Sequence, residues 1–206
     1  MTKLKLVRLE FSAKFPPPRR RTNLEARSRE YLKPEEVKAL RDAARSNGRN
    51  GVRDGLLVLL LFRHGLRVAE AASLTWDEIH FEDGTIFIRR VKNGTDSTHF
   101  LEGDEIRTLK QLRRESAVSR FVFCSERGGP LSNRAVHHIV QKAGIEAGLP
   151  FSVHPHMLRH AKGFQLAQKG ADTRAIQGYL GHRDIKSTVI YTQLDPNRFK
   201  GFGKDI

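Results

Sequence analysis

The chain has 206 residues, enough for one substantial domain with a core of its own. Apolar residues make up 38% and charged residues 29%, a balance that permits an ordinary core and argues against global disorder. Lys and Arg number 37 against 23 Asp and Glu, so the net charge of +14 indicates a polyanionic partner, nucleic acid before a membrane surface.

Membrane and secretion signals are absent from the sequence pattern. The longest apolar run, residues 56–62, is too short to span a bilayer, and the first residues lack the apolar core of a signal peptide. The single cysteine, Cys124, excludes an internal disulfide framework and fits a reducing compartment. We therefore expect a cytoplasmic protein with no membrane partner.

Residues 1–30 are predicted to be a basic, flexible N-terminal arm. They hold nine Lys or Arg against three Glu, and three successive prolines precede Arg19, Arg20 and Arg21. Prolines favour extended backbone, and clustered positive charges repel one another unless a polyanion covers them. The arm either contacts DNA through these arginines or is a solvated leader, and the sequence leaves both interpretations open.

The folded domain is predicted over residues 31–206 and begins with helices at 34–46, 52–64 and 67–74. The second is apolar on nearly all sides and is therefore expected to be buried. The pattern then changes to strands. Asp83-Gly84 and Asn93-Gly94 are both hairpin turn signals, so residues 79–101 are predicted to form a three-stranded antiparallel meander.

The second half of the chain is predicted to be helical, with helices at 104–115, 132–147, 155–169, 172–180 and 184–192. Ser132 and Asp172 are suited to cap the N-termini of two of them, and Gly181 stands where a helix stop is expected. The predicted fold class is therefore mainly α with a small antiparallel three-stranded sheet (α+β).

Chemistry-bearing residues concentrate in the last third of the chain. His156, Arg159 and His160 share one helix face at spacings of three and four. His182 follows His160 by 22 residues, and Tyr191 comes nine residues later. Taken singly, each of these residues has an ordinary structural interpretation as a cap or a core residue.

Zinc is an alternative for the histidines, because His154, His156, His160 and His182 could in principle ligate one ion. Against it, the helix lacks H-E-x-x-H and has no cysteine nearby. The glycine-rich phosphate loops of nucleotide-binding proteins are also missing. We therefore predict neither a metal nor another cofactor.

In combination, these residues resemble the tyrosine recombinase (phage integrase) family. Five separated motifs stand in the family's order between about residues 31 and 199: GLRVAE with LTW at 65–76, KNG at 92–94, HMLRH at 156–160, LGH at 180–182 and YT at 191–192. The stretch 154–182 is especially similar to the small single-domain recombinases that invert bacterial fimbrial promoter segments. The resemblance implies the recombinase catalytic-domain fold.

The implied function is site-specific cleavage and rejoining of DNA strands through a covalent 3′-phosphotyrosyl intermediate, without metal or ATP. The implied catalytic set is Arg67, Lys92, His156, Arg159, His182 and Tyr191, with Glu70 in support. Two arginines and His182 would stabilise the phosphate oxygens, because guanidinium forks match that geometry. His156 would take the tyrosine proton or orient the site, Lys92 would protonate the departing 5′ oxygen, and Glu70 would hold Arg67.

The implied partner is double-stranded DNA in a bacterial or phage setting, in association with the nucleoid. Self-association on DNA as a dimer or tetramer is expected, with accessory DNA-bending proteins as further partners. Most relatives carry a separate core-binding domain before the catalytic one, whereas only the 30-residue arm precedes it here.

Two alternative functions stay open. A type IB topoisomerase would use a similar site as a monomer. A non-enzymatic helix-turn-helix binder would fit residues 172–192 but leaves Arg67 and Tyr191 unexplained.

Overall fold

The computed structural model describes residues 30–91, 94–115 and 119–193. Lys92 lies outside the described residues, and so does the predicted arm apart from Glu30. Eight helices occur in these ranges: α1 (Pro34–Ser46), α2 (Gly51–Arg63), α3 (Val68–Ser73), α4 (Gly103–Glu115), α5 (Asn133–Glu146), α6 (Pro155–Gln168), α7 (Thr173–Leu180) and α8 (Lys186–Gln193). Three strands lie between α3 and α4: β1 (Ile79–His80), β2 (Thr85–Ile88) and β3 (Ser97–Phe100). The predicted fold class is confirmed.

The three strands form one antiparallel sheet in the order β1-β2-β3, as the sequence predicts. Thr85 pairs with Phe100 and Ile88 with Ser97. The second connection is wider than the Asn-Gly signal predicts, because β2 ends at Ile88 and β3 begins only at Ser97. The physical reason is that the Arg90 amide donates to the carboxylate of Asp96 across 2.7 Å instead of to a strand.

Capping residues fix several helix ends at the positions that the sequence predicts. The Ser132 hydroxyl accepts a hydrogen bond from the Ala135 amide across 3.1 Å, at the start of α5. The Asp172 carboxylate accepts from two amides at the start of α7. Gly181 ends α7 with a left-handed φ of 63°, which permits an immediate change of direction towards α8.

Helix α2 lies at the centre of the main core. Each residue from 56 to 61 is at most 8% exposed, which confirms that this apolar helix is buried. Helices α1, α4 and α6 pack around it. Within the described ranges, no helix has the combination of length and apolar character that crossing a membrane requires.

A second, smaller apolar cluster fixes α7 and α8 to α6. Its buried members are Ala167, Ile176, Leu180 and Tyr191, and Phe164 packs against them. The tyrosine is thus placed by tertiary packing rather than by its own short helix, because eight residues of isolated helix are not stable in water. This cluster brings α8 to the face of α6 that carries Arg159 and His160.

Candidate active site

Arg67 lies at the turn into α3, where Gly65 takes a left-handed φ of 57°. The guanidinium donates from Nη1 to Oε1 of Glu70 across 2.7 Å, and the Arg67 amide donates to Oε2 across 2.8 Å. The Glu70 side chain is buried, whereas that of Arg67 is 25% exposed. Glu70 therefore holds Arg67 from the inside and leaves part of the guanidinium accessible.

The charge of Glu70 is maintained by its neighbours. Burial by itself would raise the pKa of this carboxyl group, but the hydrogen bond from the Arg67 amide and the charge of Arg90 lower the pKa below its ordinary value. The group is therefore an ionised anchor between two cations at neutral pH.

Arg159 reaches the same place from α6. Its side chain is buried, and its guanidinium donates to the carbonyl oxygens of Gly65 and Leu180, the latter across 2.6 Å. Burial, and then the positive charges of Arg67 and Arg90, lower its pKa to about 9, so the group is still protonated at neutral pH. A guanidinium carries more N–H groups than these two bonds use, so it can also donate to an anion.

His182 follows the left-handed Gly181 and stands beside both arginines. Its Nδ1 lies 2.8 Å from the Thr188 hydroxyl. Burial, followed by the charges of Arg159 and Arg67, lowers the pKa of His182 to about 3, so the ring is neutral. When Thr188 donates to Nδ1, the ring hydrogen is on Nε2, and the histidine is a neutral hydrogen-bond donor.

Tyr191 is 1% exposed and lies in a recess that we call the tyrosine seat, formed by His160, Gly163 and Phe164 of α6. The tyrosine ring lies directly on Gly163: a Cβ atom added there would stand 2.5 Å from Cζ. Phe164 meets the ring edge-on, with centroids 5.1 Å apart. Burial raises the pKa of Tyr191 to about 12, although the charges of Arg159 and Arg67 act in the opposite direction.

The two histidines of the HMLRH motif occupy different positions. Nδ1 of His160 lies 3.0 Å from the Tyr191 hydroxyl. His156 is exposed, and its ring meets that of His160 edge-on with centroids 4.4 Å apart. The sequence analysis predicted that both histidines lie on one helix face, but it named only His156 as a candidate partner of the tyrosine. Spacing along a single helix could not have distinguished them, because α8 decides which one touches the hydroxyl.

Comparisons with known proteins identify the family of the chain. Residues 30–198 match the model of the phage integrase family. The chain belongs to this family. The type 1 fimbriae regulatory proteins FimE and FimB of Escherichia coli K12 are 44% and 41% identical to the chain over 179 and 180 residues, or 84% and 85% of the chain and 90% of each relative.

A solved structure of the site-specific recombinase XerH, in a pre-cleavage complex with its difH substrate, matches with a TM-score of 0.72 at 26% identity. The match covers 83% of the chain but 52% of XerH, so the chain spans about half the length of that relative. The protein is thus a DNA-binding, site-specific tyrosine recombinase, and the predicted family and enzyme class are confirmed.

The start of the loop between β2 and β3 is tied to the candidate site through Arg90, which the sequence analysis did not single out. Arg90 is buried and donates to Oε2 of Glu70 across 2.8 Å and to the carbonyl oxygen of Tyr179 across 2.6 Å. The Val91 amide donates to Oε1 of Glu70 across 3.3 Å. Glu70 therefore fixes both Arg67 and the start of this loop.

The four histidines considered as zinc ligands all lie in the described ranges. Over those ranges, no group of three or more His, Cys, Asp or Glu side chains could hold a metal ion. The alternative of a zinc site made by these histidines is therefore not supported.

Proposed function

We propose that the recombinase cleaves a DNA strand by attack of the Tyr191 hydroxyl on a phosphodiester held by Arg67 and Arg159. The main support is the convergence of two guanidinium groups and a buried tyrosine in one place. Arg67 and Arg159 donate to the neighbouring carbonyl oxygens of Gly181 and Leu180, respectively. Both positive charges lower the pKa of Tyr191 against the effect of burial, so their fields reach the phenol oxygen.

The two arginines and His182 would stabilise the charge that develops on the phosphate. As the new bond forms, negative charge grows on the non-bridging oxygens, which planar guanidinium forks can meet with two hydrogen bonds each. His182 would add a neutral N–H donor to the same oxygens. Because Glu70 and backbone carbonyl oxygens already hold the two arginines, and the Thr188 hydroxyl holds the His182 ring, little reorganisation is needed during the reaction.

The bond changes at phosphorus need neither a metal nor ATP. The Tyr191 oxygen bonds to phosphorus, the bond to the 5′ oxygen breaks, and the 3′ phosphate stays on the tyrosine. Lys92 would give a proton to the departing 5′ oxygen, and His156 would orient and stabilise the site from its exposed side. The ester conserves the energy of the broken bond, so a 5′ hydroxyl from another strand can reverse the step.

Recombination joins two duplexes, so two active sites must act together. We propose that the recombinase self-associates on double-stranded DNA as a dimer or tetramer, assisted by accessory DNA-bending proteins. Residues 31–206 would form the catalytic domain, and Arg19, Arg20 and Arg21 of the arm would bind the DNA backbone. The setting would be the cytoplasm of a bacterium, on nucleoid DNA.

Replacing Tyr191 tests the proposal directly. Tyr191→Phe removes the nucleophilic oxygen and little volume, so it should abolish the covalent protein–DNA adduct on a denaturing gel while DNA affinity stays close to that of the wild type. Labelling each DNA end separately should place the protein on the 3′ phosphate and leave a free 5′ hydroxyl. Tyr31→Phe is the control and should form the adduct, because Tyr31 precedes α1 and lies outside the catalytic set. A protease-sensitive adduct formed by Tyr191→Phe would refute the role of Tyr191.

A further inference from the structure

One question is left open by the proposed mechanism: which group receives the proton of the tyrosine hydroxyl. The tyrosine seat holds the Tyr191 ring from three sides, and the atom within hydrogen-bond distance of the hydroxyl is Nδ1 of His160, at 3.0 Å. The two rings also meet edge-on, with centroids 5.7 Å apart. The hydroxyl is thus fixed in direction as well as in position.

We propose that His160 is a catalytic residue: it holds the Tyr191 hydroxyl as a hydrogen-bond acceptor and takes its proton as the oxygen attacks phosphorus. In that step the O–H bond of Tyr191 breaks, the proton moves to Nδ1, and the oxygen forms its bond to phosphorus as the 5′ oxygen leaves. In the reverse step His160 returns the proton. The inference rests on the proposed role of Tyr191 as the nucleophile.

The chemical state of His160 fits this role. Burial, followed by the charges of His156 and Arg159, lowers its pKa to about 4, so Nδ1 is unprotonated and able to accept at neutral pH. The phenol proton becomes far more acidic as its oxygen bonds to phosphorus, because an ester oxygen binds a proton weakly. A base that is weak against the free phenol can therefore take the proton during the attack.

The surroundings of His160 are cationic or neutral. The titratable groups that face it are His154, His156 and Arg159 next to or on α6, His182 after α7, and Tyr191 on α8. Burial is the main cause of the lowered pKa of His160, and the neighbouring positive charges add to it. A bound DNA phosphate would add negative charge beside Arg159 and so offset the part of the pKa lowering that comes from those charges. The base would therefore become stronger only when the substrate is in place.

His160→Asn separates holding the hydroxyl from taking its proton. The amide oxygen of asparagine can lie where Nδ1 lies and accept the hydrogen bond, but it cannot be protonated near neutral pH. We expect adduct formation in single-turnover reactions to fall by about 10²–10⁴-fold. The remaining rate should rise about tenfold per pH unit, because attack then depends on the small ionised fraction of Tyr191. The wild type should be nearly independent of pH over the same range.

His160→Ala should be slower still, because it loses the hydrogen bond as well. His80→Asn, an exposed histidine of β1, controls for changes at histidines outside the site and should match the wild type in rate and pH profile. A His160→Asn rate within about threefold of the wild type, with a flat pH profile, would overturn the proposal. So would a His156→Asn variant that alone acquires the steep profile, since the base would then be His156.

A second measurement needs no change at His160. Nitrogen NMR of the DNA-free protein should find His160 neutral, with its hydrogen on Nε2, and Tyr191→Phe should shift the Nδ1 signal. A His160 ring that is protonated at neutral pH, or whose Nδ1 signal ignores Tyr191→Phe, would count against the proposal. Failure of the proposed function is distinguishable, because Tyr191→Phe would then still form adducts, whatever His160→Asn does.

Discussion

Gly163→Ala tests whether Tyr191 reacts from the tyrosine seat. The added Cβ would lie 2.5, 2.6 and 2.7 Å from Cζ, Cε2 and Cε1 of the Tyr191 ring. Carbon atoms in contact stand about 3.5–4.0 Å apart, so the ring must move by about 1 Å. Because Cζ carries the hydroxyl, the shift displaces the attacking oxygen. A displacement of about 1 Å can cost about 10²-fold in rate.

We therefore expect Gly163→Ala to form the covalent adduct about 100-fold more slowly in single-turnover reactions, with DNA affinity close to that of the wild type. Overpacking should cost about 1–3 kcal/mol, and replacing glycine within helix α6 should return about 0.5–1 kcal/mol. Thermal unfolding should thus show a net loss of at most about 2.5 kcal/mol, too little to explain the slower cleavage by unfolding.

Gly178→Ala is the matched control, because Gly178 also lies within a helix and an added Cβ there would meet nothing within 4 Å. It should keep the wild-type rate and gain about 0.5–1 kcal/mol of stability. If Gly163→Ala cleaves as fast as Gly178→Ala, Tyr191 does not react from this seat, and the reasoning is wrong.

Three other predictions address the proposed mechanism. Lys92→Ala should slow cleavage of normal DNA by about 10²–10⁴-fold, and replacing the bridging 5′ oxygen by sulfur should restore the rate. Arg159→Ala should not be rescued in this way. If Lys92→Ala is equally slow on normal and on sulfur-substituted DNA, Lys92 is not the acid. Deleting residues 1–30 should flatten the slope of log affinity against log salt by about 0.9 for each phosphate that the arm neutralises in the intact protein; an unchanged slope would make the arm a leader. Chelators should leave adduct formation unchanged, because arginines and a lysine supply the positive charge; loss of cleavage in EDTA, restored by Mg²⁺ or Zn²⁺, would contradict this.

The parts of the fold that depend on neighbouring residues could be predicted from the sequence. Ser132 and Asp172 cap helices, and Gly181 ends one, because these effects act over a few residues of backbone. The apolar character of α2 required burial whatever surrounded it. The motifs that contain Arg67, Arg159 and Tyr191 likewise resembled those of the family before any contact was known.

Burial of single polar side chains could not be predicted in this way. Arg89 and Arg90 are identical neighbours, yet their side chains are 75% and 0% exposed. The difference arises because Glu70, 20 residues away in sequence, meets Arg90 and not Arg89. The backbone of Arg90 leaves the ladder for a separate reason, because its amide donates to the carboxylate of Asp96 and not to a strand.

The sequence by itself determined the helices, the small sheet, the family and the residue types that a phosphate-transfer site needs. Only the tertiary structure decided which histidine meets the Tyr191 hydroxyl. His156 and His160 lie one turn apart on the same face of α6, but the apolar cluster that holds α8 brings the Tyr191 hydroxyl to His160. A helix fixes which residues share a face, whereas packing against another helix fixes which of them is touched.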